Sequence, residues 1–212
     1  MMLFSFLRIR HILFFVLSAF FLTGCMGKPT PATRFYVLSP LGADVTLVGE
    51  TENRGAISVE VASLRLPQYL DRPHIVTRSS ENRLKLAEFH QWGGNLRKNM
   101  MRTLARNLSQ LLATPNITIA PYRPPIPPDF LIDMEVMQFE RNFGGQVQLS
   151  TQWRLSRGED REVLKTQITD LTSPTATAGS DFERIVSDMS LLLGELSQII
   201  GQEILMHIDG KL

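Results

Sequence analysis

The chain has a single cysteine, Cys25, among 212 residues, so no internal disulfide can form and whatever fold it adopts is held by packing. It also lacks a long apolar run. Ile12 to Leu22 is interrupted only by Ser18, and about eleven residues fall well short of the roughly twenty that a membrane-spanning helix needs. Histidine is scarce: beyond residue 24 only His74, His90 and His207 remain, no two of them at metal-ligand spacing and none with a cysteine to join it. No Gly-rich phosphate loop and no nucleophile elbow occurs. An excess of charge of one sign is missing too, which removes the electrostatic basis for nucleic-acid binding.

What is present first is an address. The opening eleven residues carry Arg8, Arg10 and His11 without an acidic side chain, the short apolar run follows, and Leu22-Thr23-Gly24-Cys25 closes it. This is the charged start, apolar centre and small-residue cleavage site of a secretory signal, in the form used by lipoproteins. Residues 1–24 are expected to be a signal peptide removed before Cys25. The Cys25 thiol is the expected lipid attachment point, since only a thiol forms the diacylglyceryl thioether that precedes that cut. Two or three acyl chains, at about 0.8 kcal/mol per buried methylene, anchor stably where one does not. The alternative is a plainly secreted protein with an incidental cysteine.

The mature chain of 188 residues holds 20 Lys and Arg against 21 Asp and Glu, and is long enough for one well-filled core. Residues 25–34, with Gly27, Pro29 and Pro31, read as an acylated tether reaching less than roughly 30 Å. Residues 35–212 read as a single domain.

Along that domain, Phe35 to Leu38 is a short β-prone run. Ile57, Val59 and Val61 alternate with polar positions, and the alternation slips near Ala62 and Ser63 to resume at Leu64 and Leu66, which predicts a bulged strand stopped by Pro67. Ile75-Val76 and Leu84 to Phe89 predict two more strands. From Trp92 through Leu96, Met100, Leu104, Leu108 and Leu111 the spacing is helical, ending before Pro115. Asn116 to Ala120 is a candidate strand, and Pro121 to Pro128 is extended, either a docking segment or, more simply, a stiff connector. Phe130 to Phe139, Val147 to Leu155 and Val163 to Leu171 predict a three-stranded meander, with Asn142 to Gly145 as its first turn. Ser180 and Glu183 form a candidate capping box opening a second helix, whose stripe from Phe182 to Ile200 packs on the sheet or, less simply, forms a coiled coil between subunits.

Candidate chemistry is thin. Asp133 and Glu135 share a strand face and read as solvated, and His90 beside Trp92 reads as structural. No catalytic residue, metal or cofactor is assigned. The run Leu66 to Arg78 stands out, because its two prolines frame a turn that places Tyr69, Leu70 and Arg72 at an exposed corner, a candidate partner-binding site equally readable as a structural turn.

Five features together resemble the ABC-type transport auxiliary lipoproteins, the family of paraquat-inducible protein C. These are the cleavage motif at Cys25, Phe35-Tyr36-Val37-Leu38, the stretches Leu66 to Arg78 and Leu84 to Trp92, and Phe139-Glu140-Arg141-Asn142-Phe143-Gly144-Gly145-Gln146-Val147 with the strand through Trp153. Gly93-Gly94 departs from the pattern, at a cost of about 1 kcal/mol per glycine inside a helix, which moves the expected helix start to Asn95. The resemblance implies an α/β fold, a three-layer domain with a mixed β-sheet of about five or more strands and two main helices. It implies a non-enzymatic docking component of an intermembrane lipid transport system, partnered by a mammalian-cell-entry (MCE) domain protein in the periplasm and its inner-membrane component. The expected location is the periplasmic face of the outer membrane, since Met26 is not the aspartate associated with inner-membrane retention. Homo-oligomerisation is an extension of that expectation. A periplasmic lipid-binding carrier, holding an acyl chain between the sheet and the last helix, is the alternative function, and an envelope enzyme a third.

Overall fold

The computed structural model describes residues 31–47, 57–122 and 125–209. Residues 1–24, Cys25 and most of the tether lie outside the described residues. Residues from Thr33 onward form one compact unit. Its strands are β1 (Arg34–Tyr36), β2 (Val59–Arg65), β3 (His74–Ser80), β4 (Arg83–Trp92), β5 (Ile117–Ile119), β6 (Phe130–Arg141), β7 (Val147–Arg157) and β8 (Val163–Thr172). The helices are α1 (Leu96–Leu111) and α2 (Phe182–Asp209). The fold is α/β, with one curled mixed sheet of eight strands and two helices, as the sequence predicts.

β6 organises the sheet. One edge pairs antiparallel with β7, which pairs in turn with β8 to complete the meander. At its first half β6 also pairs parallel with β2, and at its last residue with β3 through Thr77 and Arg141. The chain therefore lays β2 and β3 against β6 one after the other and leaves it between Leu66 and Pro73. The expected slip in β2 is present as a register shift between Val61 and Ser63, and it keeps Leu64 buried alongside Val59 and Val61. β1 and β5, three residues each, pair parallel with β4 and β2.

The helices bury their apolar stripes on the sheet and on each other. Met100, Leu104 and Leu108 of α1 and Ile185, Met189, Leu192, Leu193, Leu196 and Ile200 of α2 join Trp153, Phe139, Leu149 and Ile132 in a single core. A polar pair crosses the seam: Asn107 donates through Nδ2 to Ser197 Oγ at 3.0 Å, and its Oδ1 accepts the Leu41 N–H at 2.8 Å. The segment Leu38 to Leu47 lies along this seam as a strap. Ser39 N–H donates to Ser190 Oγ, Leu47 N–H to the Leu111 carbonyl, and Gln110 Nε2 to the Gly42 and Val45 carbonyls. α2 presents Ser190, Gly194, Ser197 and Gly201 to it. A Cβ at Gly194 would stand 2.6 Å from Leu41 Cδ2, so this glycine is what lets Leu41 approach.

The first helix starts where the paired glycines predict, and the second is capped one residue later than expected. Trp92 is the last residue of β4, buried, with its N–H donating to the Pro73 carbonyl at 2.7 Å. The turn needs Gly94 at φ +154°, and Asn95 then caps α1 by accepting the Lys98 N–H. For α2 the cap is Asp181, whose Oδ1 accepts the Arg184 N–H at 3.0 Å, in place of Ser180.

Candidate functional site

The excursion from Leu66 to Pro73 is where sequence and structure differ most. Leu70 is 2% exposed, packed in the core, so it is not available at a corner. Its N–H donates to the Pro67 carbonyl at 2.9 Å, and Arg72 N–H to the Leu70 carbonyl at 2.9 Å, a tight turn whose apolar member must face inward because it bridges two strands of one sheet. Tyr69 is half-buried and crosses the stretch of β6 that β2 and β3 leave unpaired. Its hydroxyl donates toward the Met137 carbonyl at 3.3 Å and to Glu140 Oε2 at 3.0 Å, so a side chain replaces missing ladder bonds. Arg72 is also half-buried.

Glu140 is the centre of this bracket. It is 0% exposed, its Oε1 accepts Arg78 Nε at 2.6 Å, and its Oε2 also accepts the Phe139 N–H at 3.0 Å. Arg78 reaches on to the Glu81 carbonyl and lies with its Cζ 6.0 Å from the Tyr69 ring centroid. Burial, reinforced by the Glu140 charge and hydrogen bond, pushes the Tyr69 hydroxyl well above its ordinary range, although Arg78 opposes this. Burial draws Arg78 down, and the bond and charge of Glu140 outweigh it, leaving the guanidinium raised. A carboxylate buried with an arginine and a tyrosine is satisfied rather than reactive.

Sequence reasoning missed Glu140 for a definable reason. The β6–β7 register shifts between Val136 and Gln138, so Met137 is an extra residue and the period-two phase changes before Glu140 is reached. Asp133 and Glu135, by contrast, lie as expected on the polar outer face, the first accepting from Ser63 Oγ and the second paired with Arg65 Nη2 at 2.8 Å.

Next to the bracket lies a groove of about 560 Å³ between β4, the β6–β7 turn and the start of α2. Arg78, Lys85, Arg141 and His90 contribute its polar wall, Leu86, Phe143 and Phe182 its apolar one. Leu86 is 44% and Phe143 58% exposed, and exposed Leu84 continues the rim. Phe143 projects from a turn set by Gly145 at φ +99°, where a Cβ would come within 2.9 Å of Ala176 Cβ. On the groove's other side His90 stacks on Phe182 with centroids 3.9 Å apart, and its Nδ1 shares a 2.7 Å hydrogen bond with the Tyr36 hydroxyl. Burial, with a contribution from nearby Arg34, lowers the His90 pKa, which favours the neutral ring. Among the described residues no group of acids and histidines is arranged to hold a metal ion, and no helix is long and apolar enough to cross a membrane. The α2 residues that a lipid carrier would need, such as Leu192, Leu193 and Leu196, are closed into the core.

The stretches Leu66 to Arg78, Leu84 to Trp92 and Phe139 to Val147 thus converge on one end of the sheet, where an internally satisfied bracket supports a mixed apolar and cationic rim. Fold and site define a mixed-sheet α/β domain. The chain belongs to the family of ABC-type transport auxiliary lipoprotein components, whose model matches residues 36–201. It is similar in structure to a Xanthomonas campestris protein of the family DUF330, with TM-score 0.66 and 14% identity over 84% of this chain and 100% of that one. An uncharacterized protein of solved structure gives TM-score 0.64 and 19% identity over 82% of this chain and 99% of the other. At these identities the likeness shows the fold alone. No curated protein matches the sequence.

Proposed function

We propose that this transport auxiliary lipoprotein is a non-enzymatic docking component of an intermembrane lipid transport system. In this reading residues 1–24 are removed, acyl chains on Cys25 hold the tether 25–34 at the periplasmic face of the outer membrane, and the domain 35–212 receives an MCE-domain protein that links to an inner-membrane component. Family membership supports the transport role, and the open rim of Leu84, Leu86 and Phe143 beside the Tyr69–Arg78–Glu140 bracket carries the docking reading. Within the loop first considered, Tyr69 joins the bracket beside the rim and Leu70 holds the loop in place, while Arg72 lines a separate hollow with Asp71, Pro73 and Trp92. Several copies arranged around one partner are compatible with this surface.

The test is in-cell photocrosslinking from a probe at Leu86 or Phe143, with a probe at Gln148 on the polar outer face as control. Rim-specific crosslinks to a transport protein are expected, and Leu86→Glu with Phe143→Glu should abolish them while the protein still accumulates. Equal crosslinking from all three positions, or none from the rim, overturns the docking surface. Palmitate labelling that is lost in Cys25→Ser tests the anchor independently, and mass measurement of the purified lipoprotein tests oligomerisation.

A further inference from the structure

Every fully exposed position of α1 is cationic: Arg97, Lys98, Arg102 and Arg106. The helix contains no acidic residue, and none of the four pairs with an acid among the described residues. Lys98, Arg102 and Arg106 recur every four residues and therefore line up as a ridge of like charge, an arrangement that destabilises a helix. Arg97 and Lys98 fall in the first turn, the end at which the helix dipole disfavours cations. Local rules broken together in this way mark a position kept for something other than stability.

The ridge borders a groove. About 610 Å³ in volume, it runs between the first half of α1 and the ends of β2 and β5, with Arg65, Arg97, Lys98 and Arg102 around it and no Asp or Glu in its lining. Among the described residues the Arg65 side chain is held only by its exposed pair with Glu135, the kind of bond that exchanges readily with another anion. Met101, buried, and Ile119, half-buried, add apolar surface at the base. The size lies within the range of small-ligand sites.

We infer that this groove binds the headgroup of an anionic glycerophospholipid, its cations holding the phosphodiester and Met101 and Ile119 receiving the glycerol and first methylenes. Cations alone would take any anion, and the apolar base is what selects an amphiphile. Guanidinium groups suit the ligand because their paired N–H donors match phosphate oxygens. The site lies on different elements from the docking rim and needs no transporter, so its failure would leave the docking role standing.

The experiment is a titration of the mature acylated protein, in neutral detergent, with short-chain phosphatidylglycerol, short-chain phosphatidylcholine and inorganic phosphate, followed by calorimetry. Saturable binding of phosphatidylglycerol is expected, more than about tenfold tighter than either of the others. The combined variant Arg97→Gln, Lys98→Gln, Arg102→Gln should lose it while melting at or above the parent temperature, and Arg161→Gln should bind as the parent does. Phosphatidylcholine binding equally well removes the charge selection, and inorganic phosphate binding equally well makes this a free-anion site. Either result overturns the proposal, as does absence of binding or an unaffected combined variant.

Discussion

The two helices are built alike on the inside and oppositely on the outside. Both bury an unbroken apolar stripe in the same core, Met100, Leu104 and Leu108 on one and Ile185, Met189, Leu193 and Leu196 on the other. Outward, α2 shows a mixed set, Glu183, Arg184, Ser187, Leu191, Gln202 and Met206, while its buried Asp188 is partnered by Arg184 at 3.0 Å and Thr177 at 2.8 Å, and half-buried Glu203 by Lys165 and His207. α1 shows cations only, without partners among the described residues. The difference separates two uses of a surface helix: α2 is held by everything it touches, while α1 carries charge that its own stability would be better without.

That contrast can be broken most forcefully at α2. Leu196→Ala removes a fully buried side chain from the centre of the stripe and should cost about 2–5 kcal/mol in chemical denaturation. A loss under about 1 kcal/mol would mean the helix is not the pillar described. At the seam, Asn107→Ala leaves the half-buried Leu41 N–H without its acceptor while the Ser197 hydroxyl keeps its bond to the Leu193 carbonyl, and about 1–3 kcal/mol should be lost by the same measurement. A neutral result would show that water replaces the amide. Where α2 begins, His90 has a folded pKa below its ordinary 6.5, so the unfolded chain takes up its proton first. Its contribution is complete above pH 6.5 and declines as pH falls through the lowered value. Denaturation midpoints measured across mildly acidic pH should slope downward in the parent and less steeply in His90→Gln, and parallel slopes would remove His90 as the cause. The smallest effect has the opposite sign. Lys98→Glu places an acid in the first turn of α1, four residues before Arg102, and should raise stability by about 0.5 kcal/mol; a decrease would show that the cations do stabilising work.

The strands were the most legible part of the fold, because period two leaves a direct trace. The slip between Val61 and Ser63 was visible as a change of phase, and the β7 alternation from Val147 to Leu155 needed no correction. Trp92 misled because it stands four residues before Leu96, in frame with the helix, and only the paired glycines after it betray a turn. Leu70 misled because a proline-framed turn reads as exposed, whereas this one is folded back over a gap in the sheet. Glu140 was illegible for want of a pairing register, since nothing in the linear sequence places Met137 as an extra residue or brings Tyr69 and Arg78 to the same carboxylate. The cations of α1 recur at a spacing of four in the sequence, but their groove depends on β2 and β5 ending beside them.

Gly194 and Gly201, by admitting Leu41 and Leu47, tie the earliest part of the domain to its latest. A nascent chain presents the strap some 150 residues before the glycines that seat it, the separation of Ser39 from Ser190 being 151. Folding therefore cannot close until α2 has been synthesised, and a prematurely terminated product lacking α2 would leave the strap without a seat.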